Sequence, residues 1–263
     1  MNTEKIKLKK KNYYMKSNRK KLNNVDINFK GFLCTCNNRE KECVRESYNI
    51  LNKVAHTLYG ETIETTDVNK ETDITDEIAK EIQDLKSDIV PKKKKFSLCD
   101  SGAKNIVFIR TSLENPVEIA EHLVKEIHET KKQQTRFLIR LVPIEITCKA
   151  YIENIEKSFE SIAGKYFSGE GKSYSIVYNH RNNSSLSKDE VIKRIADKIS
   201  SFRQDHKVNL KEAEISVVIE VIRGFAFIGI VPNFLKYKKY NLLALCENVI
   251  QDEVSKPASN ISE

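Results

Sequence analysis

Apolar positions along the chain follow two rhythms, and the switches between them mark the elements. Residues 29–36, FKGFLCTC, form a short apolar run of strand length. Asn37 or Asn38 then offers an N-cap to a helix whose apolar positions Val44, Tyr48, Leu51 and Ala55 recur every three or four residues. Residues 95–110 predict two short strands around Ser101-Gly102, the second being NIVFIR. Asn115-Pro116 starts another helix, with Val117, Ala120, Val124 and Ile127 as its buried stripe. TRFLIRLV, residues 135–142, reads as a strand. The first half is therefore β-α-β-β-α-β, a split βαβ or ferredoxin-like order, and the fold class is α+β.

The second half keeps both rhythms. Ile152, Ile155, Phe159 and Ile162 mark a helix, and SYSIVYN a strand. Ser187-x-x-Glu190 has the spacing of a capping box for a helix running through Phe202. EISVVIEVI and FAFIGIV pair about Arg223-Gly224, and Pro232 ends the pair. The last thirty or so residues turn polar and are expected to fray.

Charge changes this picture at two places. Lys plus Arg number 45 against 37 acidic residues, a net charge of +8. The excess lies in the first thirty residues, KIKLKKKNYYMKSNRKKL, an arm suited to nucleic acid or an import receptor, or else a solvated tail. Residues 61–90 are mostly acidic and carry a helical stripe of Ile74, Ile78, Ile82, Leu85 and Ile89, read as docking on its own domain, with a partner site as the alternative. No signal peptide and no membrane association are expected, because no apolar h-region follows the charged N-terminus and no apolar run is long enough to span a bilayer. The six cysteines are then expected as free thiols. Cys34-x-Cys36 and Cys43 lack a second ligand pair, so no metal is expected.

Catalytic patterns fail one by one. GEGKS at 169–173 has Tyr166 where a P-loop needs glycine, and it leads into a strand rather than a helix. His122 and His128 lie off the spacing of a zinc-binding helix, and His180 reads as a binding residue rather than a base. No cofactor is expected. The N-x-S sequons at Asn182 and Asn183 are not expected to carry glycans. What remains is hydrogen-bond donors: Arg136, Arg140, Lys149, Arg181, Asn182, Asn183, Ser184, Lys188 and Arg223, at strand edges and helix starts. Such groups suit RNA phosphates and ribose hydroxyls. The alternative is a loop that only caps the helix through Ser187.

Several blocks together resemble a known family. GFLCTCNNREKECVRESYNILN, SGAKNIVFIRT, TRFLIRLVPIEITCKAYIENIEK, RNNSS, VVIEVI and FLKYKKYNL are similar to the eukaryotic THUMP-domain proteins that assist tRNA cytidine acetylation, from about Gly31 to Leu242. The resemblance implies an N-terminal ferredoxin-like domain packed on a THUMP domain. It implies a non-catalytic adaptor that binds tRNA and partners an RNA cytidine acetyltransferase. The product would be N4-acetylcytidine in the D-stem of serine and leucine tRNAs. Matching positions are Arg140, Pro143, Cys148, Lys149, Arg181, Asn182, Asn183, Ser184, Lys239, Tyr240 and Asn241, of which Pro143 and Cys148 are read as structural. Lys239 thereby joins the expected RNA-binding set. The expected divisions are a basic tail at 1–28, a ferredoxin-like domain at 29–112 with an acidic insertion at 60–95, a THUMP domain at 113–235 and a C-terminal tail at 236–263. An enzyme with an unrecognised site and a protein scaffold without RNA affinity remain the alternatives. The expected compartment is the nucleus or nucleolus, with the cytoplasm as an addition.

Overall fold

The computed structural model describes residues 23–60 and 94–247. The apolar stripe Ile74–Ile89 of the acidic insertion and most of the basic arm therefore lie outside the described residues. Two five-stranded sheets organise the rest. The first holds β1 (Asn23–Asn24), β2 (Gly31–Thr35), β3 (Phe96–Asp100), β4 (Ile106–Thr111) and β5 (Arg140–Ile144), in the order β1-β3-β4-β2-β5. Helices α1 (Glu40–Tyr59) and α2 (Pro116–Thr130) complete the β-α-β-β-α-β order, and the four main strands pair antiparallel.

Local chemistry explains most of these elements. Asn115 caps α2, its Oδ1 accepting the Glu118 N–H at 3.4 Å, with Pro116 in the first turn. The start of α1 differs from expectation. Arg39 is its N-cap, without a side-chain cap bond. Asn38 instead adopts a left-handed turn (φ 59°) and donates its N–H to Asn105 Oδ1 at 3.0 Å. The expected strand at 135–142 also shifts, to 140–144. The Glu46 carboxylate takes the N–H groups of Arg136, Phe137 and Leu138 at 2.8–2.9 Å, so those amides cannot join a ladder.

The second sheet holds β6 (Ile146–Lys149), β7 (Ser173–Arg181), β8 (Lys207–Val208), β9 (Ile215–Ile222) and β10 (Phe225–Pro232), ordered β6-β10-β9-β7-β8. Strand β7 runs parallel to β8 and β9, while β10 runs antiparallel to β9 and β6. Helices α3 (Ile152–Phe167) and α4 (Lys188–Phe202) cover one face through Ile155, Phe159, Val191, Ile195 and Ile199. From the other face, Val218, Ile222, Phe227 and Val231 enter the core of the first sheet, where Phe108 and Phe227 meet edge-on at 5.1 Å.

Two expected boundaries are corrected. Helix α2 and strand β5 belong to the first sheet, because β5 pairs with β2 from Thr35–Arg140 to Gly31–Ile144. The division therefore falls at Glu145, not at 112/113. The C-terminal tail does not begin at 236 either. Tyr237, Tyr240, Leu242 and Leu245 are buried in the first core, and the Leu242 N–H bonds the Ile139 carbonyl at 2.8 Å. Aromatic and leucine residues in YKKYNLLAL outweigh its lysines once a groove is there to receive them.

Glu145 fastens the two sheets. Its buried carboxylate accepts the Tyr166 hydroxyl at 2.9 Å and the Ile230 N–H at 3.1 Å, and its own N–H bonds the Ile228 carbonyl at 2.9 Å. Burial pushes this carboxyl above the usual carboxylate range, against the pull of those donors and of Lys165. Next to it, Gly229 lets the strands touch: a Cβ there would lie 2.2 Å from the Pro143 carbonyl oxygen.

Candidate nucleic-acid interface

Strand directions bring four chain segments to one end of the second sheet. Strands β6, β7 and β9 all run the same way, so Lys149, Arg181 and Ile222 end together. Helices α3 and α4 start at that end and run parallel in register, since Glu156 pairs with Arg194 at 3.6 Å and, one turn on, Glu160 with Lys198 at 3.0 Å. Two helix N-termini with their unpaired amides thus face the same side, a favourable setting for anions. Glu153, Asp189 and Glu190 in the first turns offset part of that field.

Hydrogen bonds tie these ends to one another. The Arg223 N–H donates to the Arg181 carbonyl at 3.0 Å, and the Ala150 N–H to the Gly224 carbonyl at 3.0 Å. Arg223 takes a left-handed φ of 52° in the tight β9–β10 connection. Its side-chain stem lies against Gly102 of the β3–β4 turn, where a Cβ would come within 2.8 Å of Arg223 Cδ. Gly102 itself has φ 77°, a left-handed conformation that favours glycine, while the Arg223 side chain could swing aside from a Cβ. The Lys149 ammonium sits 3.9 Å from the centre of the Phe225 ring.

The loop after β7 carries the residues singled out in the sequence, with divided roles. Asn182 turns the chain at φ 54°. Asn183 is already engaged: its Nδ2 donates to the Arg223 carbonyl at 2.7 Å, and its Oδ1 accepts the Ser185 N–H at 3.0 Å and the Ser185 hydroxyl at 3.1 Å. His180 Nδ1 must carry the proton, since it lies 2.7 Å from the Asn183 carbonyl, which only accepts. Asn183 is therefore a brace for the loop rather than a displayed donor. Arg181, Ser184 and Lys188 remain exposed. The Ser187 capping box is not formed: Ser187 holds the N-cap position without a side-chain cap bond, and its carbonyl accepts the Val191 N–H at 3.1 Å.

Arg136, Arg140 and Lys239 form a second group, on the edge of the first sheet. The Arg136 guanidinium lies 5.3 Å from the Phe137 ring, which Arg39 approaches to 5.8 Å. Arg140 opens β5 and bridges to Asn241, two residues beyond Lys239, itself at φ 56°. Between the groups stands Glu220, half-buried, which accepts Asn179 Nδ2 at 2.7 Å. Burial raises its carboxyl above the ordinary range, while Asn179, Arg181 and Arg140 draw it down. Sequence reading missed Asn179 and Glu220, although strand alternation puts Asn179 on the same face as Arg181.

None of Arg136, Arg140, Lys149, Arg181, Lys188, Arg223 and Lys239 has an ion-pair partner among the described residues. Also among the described residues, no three His, Cys, Asp or Glu side chains converge as metal ligands, and no helix is long and apolar enough to cross a membrane. GEGKS lies at the far end of the sheet, with the Lys172 N–H donating to His206 Nδ1 at 3.0 Å.

Residues 149–231 match the THUMP domain, beginning at the last residue of β6. The solved THUMP domain of THUMP domain-containing protein 1 is 29% identical over 32% of this chain and 88% of that one, with a TM-score of 0.30. The tRNA acetyltransferase TAN1 of Saccharomyces cerevisiae is 24% identical over 259 residues, covering 88% of this chain and 90% of that protein. The THUMP domain-containing protein 1 homolog of Drosophila melanogaster is 35% identical over 241 residues, covering 82% of this chain and 74% of that protein. At that identity and coverage, the chain belongs to the family of THUMP domain-containing protein 1.

Proposed function

We propose that the chain is a non-catalytic tRNA-binding adaptor. In this reading it presents tRNA to an RNA cytidine acetyltransferase, which forms N4-acetylcytidine in the D-stem of serine and leucine tRNAs. One observation carries the RNA-binding part: Lys149, Arg181 and Arg223 converge, without ion-pair partners among the described residues, where two parallel helices begin. Cations left unneutralised by the fold suit phosphates. The yeast relative, named for tRNA acetylation, supports the reaction class. That same name favours a second reading, in which the chain itself transfers the acetyl group.

One experiment separates the two. The purified chain is incubated with tRNA, acetyl-CoA and ATP, with and without the acetyltransferase, and tRNA nucleosides are analysed. N4-acetylcytidine should form only when both proteins are present; product from the chain alone would establish the second reading. Filter binding over a salt series tests the RNA affinity itself, which should fall steeply as salt rises. A chain that binds no tRNA would instead be a protein scaffold. The basic run at 5–21 suits nuclear import, which supports a nuclear or nucleolar location with the cytoplasm as an addition. Fluorescent fusions with and without residues 1–22 test that assignment.

A further inference from the structure

We propose that Tyr151 is a stacking platform for an unpaired nucleobase of the bound RNA. This rests on the tRNA-binding reading above and adds a contact to it. Tyr151 is 66% exposed, against 40% for Tyr59, the other exposed tyrosine among the described residues. It makes no side-chain hydrogen bond or ring contact among the described residues, although a tyrosine ring is a large apolar surface. At the N-cap of α3 its backbone is extended, and its side chain caps nothing. The fold therefore leaves most of the ring exposed.

Its surroundings select the occupant. The Tyr151 N–H bonds the Lys149 carbonyl at 2.8 Å, and Ala150 bonds the Gly224 carbonyl at 3.0 Å, beside Arg223. The parallel register of α3 and α4 places Tyr151 beside the start of α4, where Ser187 is the N-cap and Lys188 follows. An aromatic face set among unpaired cations matches an unpaired nucleotide, with its base on the ring and its phosphates towards Lys149, Arg181 and Lys188. A protein partner would be expected to meet further exposed apolar surface. The exposed residues near Tyr151 in the chain and at the start of α4 are Lys149, Glu153 and Lys188, while Ala150 is buried and Ile152 and Leu186 are partly buried. Double-stranded RNA would not use the ring, because its bases are already stacked.

The chain contains no tryptophan, so Tyr151→Trp installs a single fluorescent reporter at the site. Its emission should be quenched as tRNA saturates the full-length protein. Tyr151→Ala should weaken tRNA binding on the order of tenfold, and Tyr151→Phe should not, since stacking uses the ring and not the hydroxyl. A blunt RNA duplex should bind wild type and Tyr151→Ala alike, and both proteins should share one Tm. If wild type binds tRNA but Tyr151→Ala binds equally well, or the reporter binds without quenching, the stacking role is overturned and RNA binding stands. If Tyr151→Ala lowers the Tm and duplex binding in parallel with tRNA binding, the residue is structural and the stacking role is again overturned. If wild type binds no tRNA, both readings fall together.

Discussion

The two ends of the second sheet treat their charges differently. At the far end, Arg203 grips Asp205 through two bonds of 2.9 and 2.7 Å, and Glu214 accepts both the N–H and the hydroxyl of Ser173 at 2.7 and 2.9 Å. His206 accepts from Lys172 at 3.0 Å and donates to the Phe167 carbonyl at 3.0 Å. Those groups are satisfied within the fold, although Lys172 and Lys207 beside them have no ion-pair partner among the described residues. At the near end, Lys149, Arg181 and Arg223 are held by their backbones while their charges stay unpaired among the described residues. The lesson is one of disposition: a charge already neutralised serves the fold, and one positioned but left unneutralised is available to a ligand.

Opening the junction between the sheets is the most drastic way to break that contrast. Gly229→Ala forces a methyl group onto the Pro143 carbonyl. A loss of about 3 kcal/mol or more is expected, read by urea unfolding, because the methyl is fixed to strand β10 and the carbonyl to strand β5, so neither can step aside. The charged ends are compared directly by Arg181→Ala and Arg203→Ala. The first should reduce tRNA affinity about tenfold and flatten the salt slope by about one contact. The second should leave binding unchanged and barely move the Tm, since the Arg203–Asp205 pair is solvent-exposed. Equal losses of affinity would erase the distinction between the ends.

Asn183→Ala should act through shape. It removes the bond to the Arg223 carbonyl and the acceptor for Ser185, so a stability loss of about 1–2 kcal/mol should accompany weaker binding. A loss of affinity at unchanged Tm would mean that Asn183 contacts RNA directly.

Glu220→Gln sharpens the contrast from the opposite side. Deleting the charge near Arg140 and Arg181 should raise tRNA affinity roughly two- to fivefold. The sign of its pH effect follows from burial. A carboxyl raised in the folded state holds its proton more tightly there than when unfolded. Its stabilising contribution is therefore full at low pH and is lost as pH rises through the raised folded value, above the ordinary carboxylate range of about 4.3. The variant should thus lose less stability than wild type as pH is raised from acid to neutral. Asp205 and Glu214 at the far end are held low, chiefly by Arg203 and by the Ser173 N–H, and supply the opposite slope in both proteins. The smallest effect is expected of Ser187→Ala, within about 0.3 kcal/mol because no cap bond is lost, against about 1 kcal/mol for Asn115→Ala, whose cap bond is formed. Thermal melts of the two variants check this pair.

Much of this was legible from short-range pattern. The order β-α-β-β-α-β, the Asn115-Pro116 helix start, the hairpin at Arg223-Gly224 and the helices after Tyr151 and Ser187 all follow from residues within a turn or two of each other. The candidate donors at strand ends and helix starts are likewise named by the sequence alone. Tertiary structure alone decided which donors are displayed. Asn183 and Ser185 look alike in sequence to Ser184, yet the distant Arg223 carbonyl engages Asn183, and Asn183 in turn engages Ser185. Glu46, some ninety residues away, withdrew Arg136–Leu138 from the expected strand. The first core took in Tyr237–Leu245, where composition suggested a frayed tail. The physical reason is the same in each case. A strand or helix is set by neighbours along the chain, whereas the fate of a polar side chain or an apolar tail depends on which partner folding brings within bonding distance, and that partner is far away in sequence.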